Sequence, residues 1–343
     1  MIAPPTVVAG HSFIDAIRPE MYAVVAERRV GDASPVATII VPTRQRAALV
    51  RETIEALFAQ DFDPPYEVIV VDNASTDEAS TVLEHLAAAA PRDFLAVRMH
   101  RDEGPATSRN AGAALARAEY VAFTDSDCLP SPGWLRACVG ALERGCDVVQ
   151  GQTLAPPWQR QPLFSHFIET RRADGSFSTS NVAYRRDVVL RAGGFDRTRD
   201  YWEDVDLGWR AVSSGARYMF VADALVHHQV IAQSPLEWLR HARRFANWPE
   251  KAAHYPSFRR HLFLGVWVDW FHSLVSVAAL GLVASKADRR FLLLAAPYAV
   301  AFPFRHGLQG RAPLLKAAAH LARDAFSFAA LLGGSIRHRS VVL

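Results

Sequence analysis

The chain has 343 residues, half of them hydrophobic, and carries 38 lysines and arginines against 35 aspartates and glutamates. This length allows one large domain or two around a substantial core, and the near balance of charge hides a basic C-terminal part that could meet nucleic acid or anionic lipid; its apolar content favours lipid, so no nucleic acid is expected. Cys128, Cys138 and Cys146 form neither a CxxC pair nor an even set, which excludes a disulfide-stapled scaffold and suits a reducing cytosol.

Residues 1–35 mix Pro4, Pro5, Pro19 and Pro35 with charges. They lack the basic start and apolar run of a secretory signal and read as a loosely structured extension. From Ala37 the pattern becomes regular. ATIIVP (37–42) predicts a strand, and 47–59 an amphipathic helix with Leu49, Val50, Ile54, Leu57 and Phe58 on its apolar face. YEVIVVDN (66–73) is a second strand, followed by a helix at 78–90, a strand at 94–100, an alanine-rich helix at 106–117 and the strand YVAF at 120–123. This alternation predicts an α/β fold with a mainly parallel central sheet, which places ligands at the carboxyl ends of its strands. Asp72 and Asn73 end one strand, and Asp125 and Asp127 follow another. No GxGxxG follows a strand and no GxxxxGK[ST] occurs, so dehydrogenase-type and P-loop nucleotide sites are unsupported.

Beyond residue 150 the alternation fades. Residues 154–162 read as a proline-rich loop, and a helix after 176–186 stops at Gly193–Gly194. YWEDVDLGWRAVSSG (201–215) opens with acids and continues as a helix that Gly215 ends, and 216–228 reads as a strand finishing in His227 and His228. Residues 236–343 carry 15 lysines and arginines against 5 aspartates and glutamates, a local excess of +10. Within them LFLGVWVDWFHSLVSVAALGLVAS (262–285) is 24 residues long, enough for a membrane span of about 20, although Asp269 and His272 interrupt it. The stretch 291–304, with Pro297 and Pro303, suits a short kinked or re-entrant helix. Arginine pairs and tryptophans flank these segments as interfacial anchors do. A hydrophobic helical region embedded in, or lying on, a membrane is the expectation.

Two carboxylates where a buried strand emerges cost free energy unless a positive group meets them. A hard divalent cation sharing its oxygen ligands with a diphosphate would do so. Cys128 beside them reads better as a small buried apolar residue than as a ligand. Seven stretches then occur in order: IIVPTR (39–44), VIVVDNASTD (68–77), SRNAG (108–112), YVAFTDSDC (120–128), SNVAYRRDVVLRAGGFD (180–196), WEDVDLGWR (202–210) and ALVHH (224–228). Together they resemble glycosyltransferase family 2 of the bacterial membrane-associated type, nucleotide-sugar-dependent enzymes of the GT-A fold.

The resemblance implies a GT-A domain over 36–232, an N-terminal extension at 1–35 and a basic, hydrophobic membrane-associated region at 233–343. It implies a metal-dependent inverting transferase using Mn²⁺ or Mg²⁺. Its donor would be a nucleotide-diphospho-sugar, with uracil the usual base, and its acceptor an envelope glycan or lipid-linked molecule. The location implied is the bacterial cytoplasmic membrane, with the catalytic domain on the cytoplasmic side. Pro42, Thr43, Arg44, Asp72, Asn73, Arg109 and Asp125 would hold the nucleotide sugar, with Asn110 beside Arg109. Asp127, Asp125 and His228 would serve the metal, with His227 the alternative histidine. Asp127 would ligate directly, while Asp125 would face the ribose or a metal-bound water. Asp204 would be the base with Glu203 beside it, and Trp202, Asp206, Ser180 and Asn181 would face the acceptor. A noncatalytic sugar-nucleotide or glycan-binding module is the alternative in another class. A nucleotidyltransferase is less favoured, because PTRQRAALV (42–50) lacks the glycine-rich loop a triphosphate needs.

Overall fold

The computed structural model describes residues 12–199, 201–308 and 313–343. The chain forms two compact units, Met1–Arg160 with Phe167–Val230, and Gln161–His166 with Ile231–Leu343. The first eleven residues of the expected extension lie outside the described residues.

The first unit carries β1 (Tyr22–Arg28), β2 (Ala37–Thr43), α1 (Ala47–Phe58), β3 (Tyr66–Asp72), α2 (Ala79–Ala89), β4 (Asp93–Met99), α3 (Gly104–Leu115), β5 (Tyr120–Phe123), β6 (Cys128–Pro130), α4 (Trp134–Glu143) and β7 (Val148–Leu154). After β8 (Ser165–His166), which belongs to the second unit, come β9 (Val182–Arg185), α5 (Arg186–Arg191), α6 (Glu203–Ser213) and β10 (Tyr218–His228). The nine strands of this unit form one sheet, in the order β1-β4-β3-β2-β5-β9-β7-β10-β6. Strands β4, β3, β2 and β5 run parallel at its heart.

Those strands are uninterrupted apolar runs because both faces are covered. Ile39 and Val41 share one cluster with Val50, Ile54 and Leu57 of α1. Ile40 turns the other way, towards Gly112 of α3, where an added methyl would lie 2.4 Å from its side chain. Parallel β2, β3 and β5 therefore end together and deliver their polar termini to one rim.

The expected loose extension is partly a strand. Residues 22–28 pair antiparallel with β4, from Tyr22↔Met99 to Arg28↔Phe94. It is an edge strand with no buried residue, and its short apolar run YAVVA (22–26) is bounded by charged Glu20 and Glu27.

The second unit holds a two-stranded ribbon of β8 with β11 (Ile231–Ala232), followed by helices. These are α7 (Pro235–Arg240), α8 (Trp248–His254), α9 (Trp270–Ala284), α10 (Ala296–Arg305) and α11 (Pro313–His338), joined partly by 3₁₀ turns. Among the described residues, no helix is long and apolar enough to cross a membrane. The candidate span at 262–285 is helical only over the 15 residues of α9, about 22 Å against the roughly 30 Å of a bilayer core. Asp269 is the reason. Its carboxylate accepts the His272 N–H at 2.9 Å as an N-cap, so the helix starts there and the preceding apolar residues form turns. Helix α11 has 26 residues but carries Lys316, His320, Arg323 and Asp324 along its length.

Candidate active site

The register of the last strands builds the first half of the site. Strand β10 pairs antiparallel with β6, placing His228 opposite Cys128, and the Gln229 N–H extends the ladder to the Asp127 carbonyl at 2.8 Å. His228 Nε2 thereby comes 3.7 Å from Asp127 Oδ1, while its Nδ1 lies 2.9 Å from the Gln229 carbonyl, which orients the ring. His227 points to the opposite face, as alternation along a strand requires, and packs edge-on against Trp158. The structure thus brings His228, not His227, to Asp127.

Asp127 Oδ2 is ion-paired with Arg46, but Oδ1 is buried with no hydrogen-bond partner. Asp127, Cys128 and His228 each offer a ligand atom within 4.8 Å of the others. A carboxylate oxygen and an imidazole nitrogen suit Mn²⁺ or Mg²⁺. The soft Cys128 sulfur suits these hard cations poorly; burial, then Asp127 and Asp125, push its thiol pKa well up. An orphaned buried oxygen facing an imidazole is the donor set a hard cation requires, so the residues fit a divalent ion.

The second half is organised by Arg109. Its side chain, 7% exposed, donates to Asp125 Oδ1 at 2.8 Å and to Glu203 Oε1 at 2.7 Å. Burial alone would lower its pKa, but Asp125 and then Glu203 more than offset this, and the guanidinium stays charged. One buried cation therefore joins the β5–β6 loop to the first turn of α6. Glu203, Asp204 and Asp206 occupy that turn, where the positive end of the helix dipole favours them. Glu203 is engaged by Arg109. Asp204 is half-buried; its Oδ2 accepts from the Thr179 N–H at 3.4 Å and its Oδ1 from the Val205 N–H at 2.8 Å. Helix α6 seats on Phe177, which stands where a side chain at Gly208 would be, 2.1 Å from an added methyl.

At the ends of β2 and β3, Asp72 is fully buried. Its Oδ1 accepts from the Ser75 amide at 3.1 Å and from the Ser75 hydroxyl, an Asx-type turn. Its Oδ2 has no hydrogen bond, with Arg98 Nε 3.5 Å away outside bonding geometry. Burial raises the Asp72 pKa, more than the Ser75 hydrogen bonds lower it. Thr43 is buried with an unpartnered hydroxyl, Pro42 is half-buried, and exposed Arg44 pairs with Asp102. Asn73 clips two loops together, donating to Asp102 Oδ1 at 2.6 Å and accepting from the Glu103 amide at 2.9 Å.

The residues expected to face the acceptor divide. Trp202 takes the left-handed conformation (φ 62°) under the Arg199 guanidinium, 4.0 Å from its ring. Asp206 is turned inward and ion-paired with Arg210 at 2.8 Å and Arg199 at 3.3 Å, so it anchors the helix. Ser180 is fully buried, 3.0 Å from Ser178. The Asn181 amide donates to the Gln152 and Ala224 carbonyls and accepts from Trp134, each at 2.8 Å. Both belong to the framework beneath the rim. Asn110 likewise clamps the Phe195 backbone through two 2.8 Å bonds and does not face outward. Sequence reasoning missed Arg46; a basic residue just past the first strand was the available signal. It also missed rim strain: non-glycine residues Gln45, Ala74, Phe177 and Trp202 have φ of 53°, 56°, 46° and 62°, each costing on the order of 1 kcal/mol.

Comparison with known proteins bears on the family and the fold. The family model described as "Glycosyl transferase family 2" matches residues 38–193, and that described as "Glycosyl transferase family group 2" matches 120–305. A pre-mycofactocin glycosyltransferase of Mycobacterium tuberculosis is 31% identical over 208 residues, 56% of this chain and 42% of that protein. A glucosyl-dolichyl phosphate glucuronosyltransferase of Haloferax volcanii is 27% identical over 219 residues, 55% of this chain and 67% of that protein. The chain thus spans well under half the length of the Mycobacterium relative. Among solved structures, the mannosyltransferase PcManGT of Pyrobaculum calidifontis with GDP-Man and Mn²⁺ superposes with a TM-score of 0.57 at 22% identity, covering 91% of this chain and 90% of that one. TarS 1–349 of S. aureus with UDP-GlcNAc gives 0.52 at 18% identity, covering 89% and 92%. At these identities the structures establish the GT-A fold.

Proposed function

The chain belongs to glycosyltransferase family 2, and on that premise we propose that it is a metal-dependent inverting transferase. It moves a sugar from a nucleoside diphosphate, a UDP-sugar by preference, to a hydroxyl of an envelope glycan or lipid-linked acceptor. One observation carries this reading. Thr43 Oγ1, Asp72 Oδ2 and Asp127 Oδ1 are all buried, all without hydrogen bonds, and all lie at or just past strand ends. An unsatisfied buried polar group costs about 1–3 kcal/mol, and a polar ligand carrying a cation relieves that cost. The names of the relatives support the class: one acts on a glucosyl-dolichyl phosphate, and the solved neighbours were crystallised with GDP-Man and UDP-GlcNAc.

In this mechanism Asp72 Oδ2 accepts the uracil imide N–H. Asp127 and His228 would hold the cation, which would stabilise charge on the departing diphosphate. Arg109 holds the Asp125 and Glu203 carboxylates in place through its two ion pairs. Asp204, in the first turn of α6, takes the proton of the acceptor hydroxyl. The acceptor oxygen bonds to the anomeric carbon as the bond from that carbon to the diphosphate oxygen breaks, which inverts the configuration. The test is a panel of nucleotide sugars incubated with purified protein and Mn²⁺ or Mg²⁺. Donor-dependent release of nucleoside diphosphate, abolished by EDTA, is expected. Release of pyrophosphate, or no nucleotide-sugar binding in the panel, refutes the assignment.

A further inference from the structure

We propose that the second unit docks on an anionic lipid bilayer, with the stretch Arg289–Ala295 between α9 and α10 as its insertion point. This deepens the functional reading by naming the surface at which a lipid-linked acceptor would be met, and it can fail independently of it. Four consecutive large apolar side chains are exposed here: Phe291 at 45%, Leu292 at 46%, Leu293 at 74% and Leu294 at 36%. A helical turn packed on its own protein buries at least one of four neighbours; this one buries none.

The patch extends onto α9. Gly281 lacks a side chain where the Phe291 carbonyl and Leu294 Cβ come within 2.8 Å of a would-be methyl, so the two segments lie in direct contact. Leu280, Leu282 and Val283 around that glycine are each about three-fifths exposed (63%, 58% and 67%). Contiguous apolar surface of this kind marks an interaction site.

The charge around it selects the partner. Lys286, Arg289 and Arg290 border the patch, and none of the three forms an ion pair among the described residues. The one acid between them, Asp288, faces the backbone, accepting the Arg290 N–H at 2.8 Å as an N-cap. Unpaired cations beside an apolar tip complement the phosphates and acyl boundary of an anionic membrane. Since no described helix is long and apolar enough to cross, the contact is interfacial.

Sedimentation of the full chain with vesicles of phosphatidylcholine alone, or with 30% phosphatidylglycerol, tests this. The anionic vesicles are expected to bind at least tenfold more tightly. Leu292→Glu with Leu293→Glu should abolish binding to both. Lys286→Gln with Arg289→Gln and Arg290→Gln should lower anionic binding roughly a hundredfold, at about fivefold per cation, while circular dichroism and nucleotide-sugar binding stay unchanged. No vesicle binding, or equal binding by the leucine variant, overturns the proposal. So does a dimer of the wild-type chain by light scattering that the leucine variant loses without any vesicle binding, because a second copy then covers the patch. Loss of nucleotide-sugar binding by wild-type protein would instead strike the transferase reading alone.

Discussion

Arg109→Gln tests the electrostatic keystone of the site. The Arg109 side chain is 7% exposed, and its guanidinium lies 2.7 Å from Glu203 and 2.8 Å from Asp125. Its removal leaves two carboxylates facing one another with no cation between them. Breaking a buried ion pair from one side costs about 3–5 kcal/mol. Because the Asp125 and Glu203 side chains retain 20% and 12% exposure, water relieves part of this, and the lower end, about 3 kcal/mol, applies. For a unit of this size each kcal/mol moves Tm by roughly 2–4 °C, so a fall of about 6–12 °C is expected in scanning calorimetry at pH 7.5. The triple variant Arg109→Gln, Asp125→Asn, Glu203→Gln removes all the charges and should recover about half of the loss. A single-variant Tm within 2 °C of wild type, or a triple variant no better than the single, would refute the reasoning that one buried cation holds both acids.

Asp204→Asn should reduce turnover at least a thousandfold while the donor Kd by calorimetry stays within threefold; turnover within tenfold of wild type would remove Asp204 from the base role. Arg46→Ala should tighten Mn²⁺ binding about fivefold in donor-free protein, read by electron paramagnetic resonance, because the guanidinium now pairs with Asp127. Unchanged affinity would mean that Arg46 does not compete with the ion. Burial raises the folded pKa of Asp72 above its unfolded value, so the protonated form is favoured by folding: its stabilising contribution is full below the unfolded pKa and lost as pH rises through the folded one. Asp72→Asn is therefore expected to raise Tm at pH 7.5 by a few degrees, with the gain shrinking as pH falls into the ordinary carboxylate range, and to weaken nucleotide-sugar binding. A gain that is constant with pH would contradict the linkage.

Local pattern carried the central strands. Residues 39–41, 68–71 and 120–123 are apolar on both faces because helices cover both faces, and such runs read plainly in one dimension. The polar residues that end them, Asp72 and Asp125–Asp127, were legible for the same reason. Edge strand β1 was not, since half its side chains face water, and the helix limit at Asp269 was not, since an N-cap depends on where the chain turns.

The sequence by itself determined the alternating α/β order, the acids at the strand ends and the basic, apolar character of residues 236–343. Tertiary structure alone decided what each polar side chain faces. Asn181, Asp206 and Asn110 lie within motifs that suggested ligand contacts, yet each is engaged by the framework. His228 rather than His227 meets Asp127 because β10 pairs with β6 in one register, and Arg109 joins acids 16 and 94 residues away. Periodicity reports which face of its own element a side chain occupies; only the pairing of distant elements sets which charge stands opposite it.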